Sequence, residues 1–218
     1  MHGGALVTGR KNREGLPLLY RLASRGWVCV SPNYRLRPAA RWPDHVIDVK
    51  KVIAWLREHG PEHGADPDRI FLAGGSSGAL LAAVAALTPS DPRFQPDFED
   101  ADASVCAVIA LYGHYGWGDA GPGTAPSSPL AYLQADAPPF LVAHGDRDTL
   151  LPASAAGQFA AALRERSRSP VVYAEPPGAQ HQFDLFHSVP CTAVVNGIEA
   201  FAAWVLRCRP TSCSQSST

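Results

Sequence analysis

The stretch Phe71-Leu72-Ala73-Gly74-Gly75-Ser76-Ser77-Gly78-Ala79-Leu80-Leu81 decides how the rest of the chain is read. A short apolar run, Ile70–Ala73, leads into it, and a run of Ala and Leu from Gly78 to Leu87 leads out. This pattern predicts a strand that turns sharply into a buried helix. The turn itself is Gly-x-Ser-x-Gly, with Gly74 and Gly78 two places either side of Ser76. Strand and helix approach closely at such a turn, so both flanking positions must be small and the serine is held in a strained backbone conformation. Its hydroxyl then stands at a helix N-terminus, where the Ser77 N–H faces any developing negative charge. Ser76 is therefore the candidate nucleophile. Ser77 would be framed as Gly-x-Ser-x-Ala and matches less well, and the plain alternative is a Gly/Ser turn that only starts a helix. Ala73-x-Gly75-x-x-Gly78 is one residue away from a dinucleotide fingerprint, which also needs an acid closing the next strand. That strand ends Ala110-Leu111-Tyr112-Gly113, without an acid, so no cofactor is expected.

Outward from this turn, strand-like and helix-like segments alternate. Trp27–Ser31, Ile70–Ala73, Ser104–Leu111, Phe140–Ala143 and Val171–Ala174 are short continuous apolar runs, as strands buried on both faces require. Leu16–Ser24, Val46–Glu58, Gly78–Leu87, Pro152–Arg166 and Val194–Leu206 carry helical spacing. Strand–helix alternation implies right-handed crossovers and a doubly wound, mostly parallel α/β sheet. Residues 1–209 are expected to form one catalytic domain and 210–218 a polar disordered tail. Gly113–Pro139, rich in Gly, Pro and Ser, is the one long irregular stretch and reads as a lid or pocket wall.

Composition narrows the function. The chain has 218 residues, 46% hydrophobic and 18% charged, with Lys+Arg 19 against Asp+Glu 20 and a net charge of -1. A near-neutral chain without a basic block does not suit nucleic acid. Apolar runs such as Ala79–Leu87 fall short of the roughly 20 residues that span a bilayer, so no transmembrane segment is expected. Cys29, Cys106, Cys191, Cys208 and Cys213 are scattered, with no CxxC pair, which suits neither a disulfide framework nor zinc. Glu58-His59-Gly60-Pro61-Glu62-His63 superficially resembles a metal site, but Gly60 and Pro61 break the helix that would align the ligands; no metal is expected. Met1 is followed at once by His2-Gly3-Gly4, without a signal sequence, which gives a cytoplasmic expectation.

A serine hydroxyl needs a base, and the base needs an orienting acid. The fourth strand-like run enters His144-Gly145-Asp146-Arg147-Asp148, and the fifth enters Pro176-Pro177-Gly178-Ala179-Gln180-His181. Both loops lie at the C-terminal ends of strands, where parallel sheets place their chemistry. Asp148 is favoured as the acid over Asp146, which follows a glycine and can simply cap the turn. His181 is favoured as the base over His187 and over His144, which reads as structural. Gly3 and Gly4 let the backbone approach a substrate oxygen and, with Ser77, are the candidate oxyanion donors. His114, Tyr115 and Trp117 are the candidate pocket lining, although loop aromatics also commonly pack among themselves.

Taken together these residues resemble the α/β-hydrolase superfamily, and within it the esterase/lipase group related to hormone-sensitive lipase. His2-Gly3-Gly4-Ala5 is similar to that group's HGG oxyanion motif, and Asn33-Tyr34-Arg35-Leu36-Arg37-Pro38 with Trp42-Pro43, Asp48 and Trp55-Leu56 to its NYRL-x-P block. Asp66-Pro67-Asp68-Arg69-Ile70 resembles its DPxRI lead into the serine strand. HGDRDTLLP resembles HGxxDxxVP, whose second Asp is the triad acid, and GAQHQF resembles the histidine's GxxHxF. Gly74-Gly75-Ser76-Ser77-Gly78-Ala79 departs from the usual GDSAGG, and feruloyl esterases and kynurenine formamidases share similar motifs. The resemblance implies a serine carboxylesterase acting on small-molecule, short- to medium-chain esters through an acyl-enzyme, and it allows a homodimer. Amide or formamide hydrolysis by the same triad is the alternative. In the group, HGG follows the third strand, which lies between the fourth and fifth. The chain is therefore expected to lack strands 1–3, either as a fragment or from a misplaced start. In that case an inactive fragment is a further reading, and a targeting signal would be missing too.

Overall fold

The computed structural model describes residues 1–116 and 124–208. Four apolar runs become strands: β1 (Phe71–Gly75), β2 (Ala107–Leu111), β3 (Phe140–Ala143) and β4 (Val171–Ala174). They pair in parallel, in the order in which they occur in the chain. Every residue of β2 and β3 is buried, while β4, at the sheet edge, alternates between half-buried and exposed. Successive side chains point to opposite faces. Val108, Ala110, Phe140 and Val142 accordingly join one core with Val46 and Ile53 of α2 (Asp44–His59), Leu80 and Val84 of α3 (Ser77–Leu87), and Phe159 and Leu163 of α4 (Ala153–Arg166). Ile109, Leu111 and Leu141 face the other way, onto Leu18 of α1 (Leu16–Ala23) and Ile198 and Phe201 of α5 (Val189–Cys208). Two apolar faces, each covered by helices, make the doubly wound α/β arrangement.

Helix α3 is buried along its whole length, which explains why it is written almost entirely in Ala and Leu. Helix α2 ends at His59, and Gly60–His63 forms a 3-10 turn. Lys50 of α2 is fully buried; its ammonium donates to Thr88 O and to Gln95 Oε1 (2.9 Å). Burial pushes that ammonium down to about 8. Helix α5 starts earlier than its periodicity suggests, because the Ser188 hydroxyl accepts the Cys191 N–H (3.2 Å) and caps the first turn. By length and composition alone α5 could cross a membrane; here Cys191, Val194, Ile198, Phe201 and Val205 are buried on the protein side.

Residues 27–31, expected as the first strand, join no ladder. An apolar run becomes a strand only beside a hydrogen-bonding edge. This segment and the outer edge of β1 instead line a common groove of about 390 Å³, together with Leu18, Leu22, Val49 and Ile53. Trp27 meets Phe71 in an edge-to-face ring contact at 5.1 Å. At the C-terminal end of β1, Met1 pairs with the edge: its amine donates to Ala73 O (2.6 Å), and its carbonyl accepts the Gly75 N–H (3.3 Å).

Candidate active site

Strand β1 ends at Gly75 and α3 begins at Ser77, which leaves Ser76 alone to make the reversal. Its backbone sits at φ 54, ψ -121, a region that residues with a side chain avoid. The Ser76 N–H is anchored on Leu111 O at 2.9 Å. The glycines around it are required by sterics. A methyl on Gly74 would lie 2.8 Å from Ala79 N, where strand and helix cross, and one on Gly78 would lie 2.6 Å from His2 O.

Neighbouring strands are about 4.8 Å apart, so loops after β3 and β4 start roughly 10 and 14 Å from β1 and must fold back to reach Ser76. They do so as a linked pair. Asp148 Oδ1 accepts the N–H groups of Leu150 and Leu151, both at 2.9 Å. Asp148 Oδ2 lies 2.7 Å from His181 Nδ1 and 3.0 Å from His144 Nε2. The Asp148 side chain is wholly shielded from solvent. Burial alone would raise its carboxyl, but the N–H groups of Leu151 and Leu150 and the His181 ring outweigh that and hold it below the usual carboxylate range. Asp146 Oδ1 accepts the Gly178 N–H (2.6 Å), tying the two loops together. His187 is exposed.

Tyr112, at the end of β2, forms the floor between the two halves of the site. A methyl on Gly75 would lie 2.6 Å from Tyr112 Cζ, and the Tyr112 ring meets His181 edge-on at 4.8 Å. Its hydroxyl donates to Asp184 Oδ1 at 2.5 Å. Burial raises both groups: the Tyr112 phenol far above its ordinary value, and the Asp184 carboxyl less so. The structure thus joins Asp148 to His181 directly, whereas Tyr112 lies between His181 and Gly75, the residue before Ser76. Among the described residues the Ser76 hydroxyl makes no hydrogen bond. Tyr112 and Asp184 were not read from the sequence. The only hint was an aspartate set between Phe183 and Leu185.

The His2-Gly3-Gly4-Ala5 turn lies against the start of α3. The Tyr34 hydroxyl shares its one proton between His2 O (2.9 Å) and Gly3 O (3.2 Å), and the His2 ring stacks on Tyr34 at 4.3 Å. Arg35, next in the chain, grips Asp48 of α2 through Nε (2.9 Å). The Asn33–Pro38 block therefore works as scaffold beneath the turn. The Gly3 N–H donates to Glu14 Oε2 at 2.6 Å, so this expected oxyanion donor is already engaged. Among the described residues, the N–H groups of Gly4 and Ser77 are paired with no acceptor. Of the expected pocket residues, Tyr115 stacks on Phe159 at 4.3 Å and is buried in the core, because its ring finds an apolar partner beneath the loop. His114 is half-buried. Trp117 and residues 210–218 lie outside the described residues. His59 Nδ1 pairs with Glu62 Oε1 at 3.0 Å, and no cluster of three or more potential metal ligands occurs among the described residues.

The chain has relatives among known proteins. The family model described as BD-FAE matches residues 1–119. The chain is 44% identical over 227 residues to the probable carboxylic ester hydrolase LipM of Mycobacterium tuberculosis, covering 93% of this chain and 53% of LipM. It is 40% identical over 222 residues to esterase LipQ of the same organism, covering 91% of this chain and 53% of LipQ. The chain thus spans about half the length of these curated relatives. Among solved structures, the butyrate-bound thermophilic esterase Est2 of Thermogutta terrifontis superposes with a TM-score of 0.79 at 26% identity, covering 94% of this chain and 81% of that one. With a model matched over more than half of its residues and a sheet shared with solved esterases, the chain belongs to the BD-FAE family of α/β-hydrolase esterases.

Proposed function

We propose that residues 1–209 carry the catalytic unit of a serine carboxylesterase that hydrolyses short- to medium-chain esters through an acyl-enzyme. The observation that carries this reading is the Asp148–His181 pair at 2.7 Å, set by Tyr112 against the turn that holds Ser76. In the reaction, Ser76 Oγ attacks the ester carbonyl while His181 Nε2 takes its proton. Asp148 holds the Nδ1–H and stabilises the ring once charged. The carbonyl oxygen, now negative, is received by the N–H groups of Gly4 and Ser77. His181 returns the proton to the departing alcohol, then activates the water that releases the acid. Two features support the assignment: a backbone at Ser76 that only a functional turn repays, and relatives named as ester hydrolases. The butyrate in the Thermogutta esterase favours a short acyl group.

The test is hydrolysis of p-nitrophenyl acetate, butyrate and octanoate, beside an N-formyl compound, by the chain and by Ser76→Ala. The expected result is preferential turnover of the short esters, with kcat lowered about 10⁴–10⁶-fold in the variant. A Ser76→Ala protein with wild-type turnover rejects the assignment.

A further inference from the structure

Catalysis by a backbone N–H depends on where its peptide plane points, and a peptide plane is rigid. Two planes meet at Gly3. The first contains His2 O and Gly3 N–H; the second contains Gly3 O and Gly4 N–H. Tyr34 holds the oxygens of both, at 2.9 and 3.2 Å, and His2 Nδ1 lies 2.7 Å from the second. Carbonyl and N–H point in opposite directions across a trans peptide, so pinning Gly3 O on Tyr34 turns the Gly4 N–H away from it. The first plane is held at its other end by Glu14, whose Oε2 accepts the Gly3 N–H at 2.6 Å. A methyl on Gly3 would lie 3.1 Å from that carboxylate oxygen and 2.9 Å from Ser76 Cβ. The Glu14 contact and the Ser76 side chain therefore lie around the same Cα.

We propose that Glu14 is a positioning residue for the oxyanion site: its carboxylate fixes the His2–Gly3 plane and thereby aims the Gly4 N–H at the substrate oxygen. This rests on the ester-hydrolase reading for the identity of the reaction. Glu14 touches no reacting atom. Tyr34 holds both planes at their carbonyl ends only, and glycine at position 3 has the broadest backbone freedom of any residue, so without an acceptor on the Gly3 N–H the His2–Gly3 plane rocks about its contact with Tyr34 and carries the next plane with it. A charge-assisted N–H···O⁻ bond is short and strong enough to hold one orientation. Gln at position 14 keeps an oxygen acceptor at the same reach, and Ala removes it.

The experiment compares the chain with Glu14→Ala and Glu14→Gln, using p-nitrophenyl butyrate kinetics, thermal melts and the Gly3 amide resonance by NMR. Glu14→Ala should lose about 10- to 100-fold in kcat with little change in KM, since a misaimed oxyanion donor weakens the transition state rather than binding. Glu14→Gln should recover most of that loss, and both variants should melt near wild type. The Gly3 amide proton should resonate far downfield in the wild type, move upfield in Glu14→Ala and stay close in Glu14→Gln. Wild-type kcat in Glu14→Ala, or equal losses in both variants, would overturn the proposal. If the wild type shows no Ser76-dependent turnover, the ester-hydrolase reading fails by itself. The Gly3 amide then decides the Glu14 clamp separately, and an unchanged shift in Glu14→Ala would reject it.

Discussion

Gly78→Ala puts a methyl carbon 2.6 Å from His2 O and closer still to Met1 O. Carbon–oxygen contacts settle near 3.3–3.6 Å, so one side must retreat by about 1 Å. Helix α3 is packed on all sides and cannot shift, whereas the His2–Gly4 turn is irregular backbone held by hydrogen bonds from Tyr34 and to Glu14. The turn should therefore give way. Overpacking costs about 1–3 kcal/mol, offset by roughly 0.8–1 kcal/mol from the better helix propensity of Ala, leaving a net loss of about 0–2 kcal/mol. Activity is far more sensitive, since a displacement of about 1 Å costs on the order of 10²-fold. The assay pairs kcat for p-nitrophenyl butyrate with urea unfolding. Gly197→Ala, an exposed position on α5 with nothing within 4 Å, serves as a control that should gain up to about 1 kcal/mol and leave kcat unchanged. A Gly78→Ala protein with wild-type kcat would refute the reasoning, and so would one whose stability collapses in parallel with its activity.

Asp148 has its carboxyl depressed in the folded chain, so its contribution to stability is complete above the unfolded value of about 3.9 and is lost as pH falls through the folded value. In melts from pH 7 to 3, the gap between wild type and Asp148→Asn should narrow below about pH 4. A gap that widens on acidification contradicts the depressed carboxyl. Lys50 behaves oppositely: its folded ammonium, near 8, lies below the unfolded value, so the wild type gains stability relative to Lys50→Met as pH rises from 8 toward 10.5, by up to about 3 kcal/mol. Urea midpoints at pH 7 and 10 test this, and a pH-independent difference excludes it. Tyr112→Phe keeps the ring against His181 but strips Asp184 of its donor, which should cost about 1–3 kcal/mol and leave kcat near wild type. The double variant with Asp184→Asn should lose less than the two single losses summed. Strict additivity would show that the pair is not coupled.

The sheet was legible because β2 and β3 are apolar runs bounded by turn residues, and a strand buried on both faces leaves that trace in any sequence; β4 carries the same kind of run although it lies half-exposed at the edge. The placement of Ser76, Asp148 and His181 just beyond strand ends was legible because each follows an apolar run inside a recognisable spacing. What escaped was pairing between distant positions. Tyr112 and Asp184 are 72 residues apart, and Gly3 and Glu14 are 11 apart with no motif linking them. Residues 27–31 read as a strand because composition reports burial, whereas strand formation also needs a partner edge. Tyr115 read as pocket lining because an aromatic in a loop looks the same whether it faces substrate or, as here, Phe159.

The sheet divides its labour unevenly. β1, β3 and β4 each lead into one member of the proposed Ser76–Asp148–His181 set, while β2 leads into the buried Tyr112 and the connection 113–139. No member of the proposed set hangs from that connection, so substitutions at its exposed positions, such as Leu130, leave those three residues in place, whereas Tyr115 and Ala137 are built into the core. A library at such exposed positions therefore tests a role in selectivity separately from the proposed chemistry.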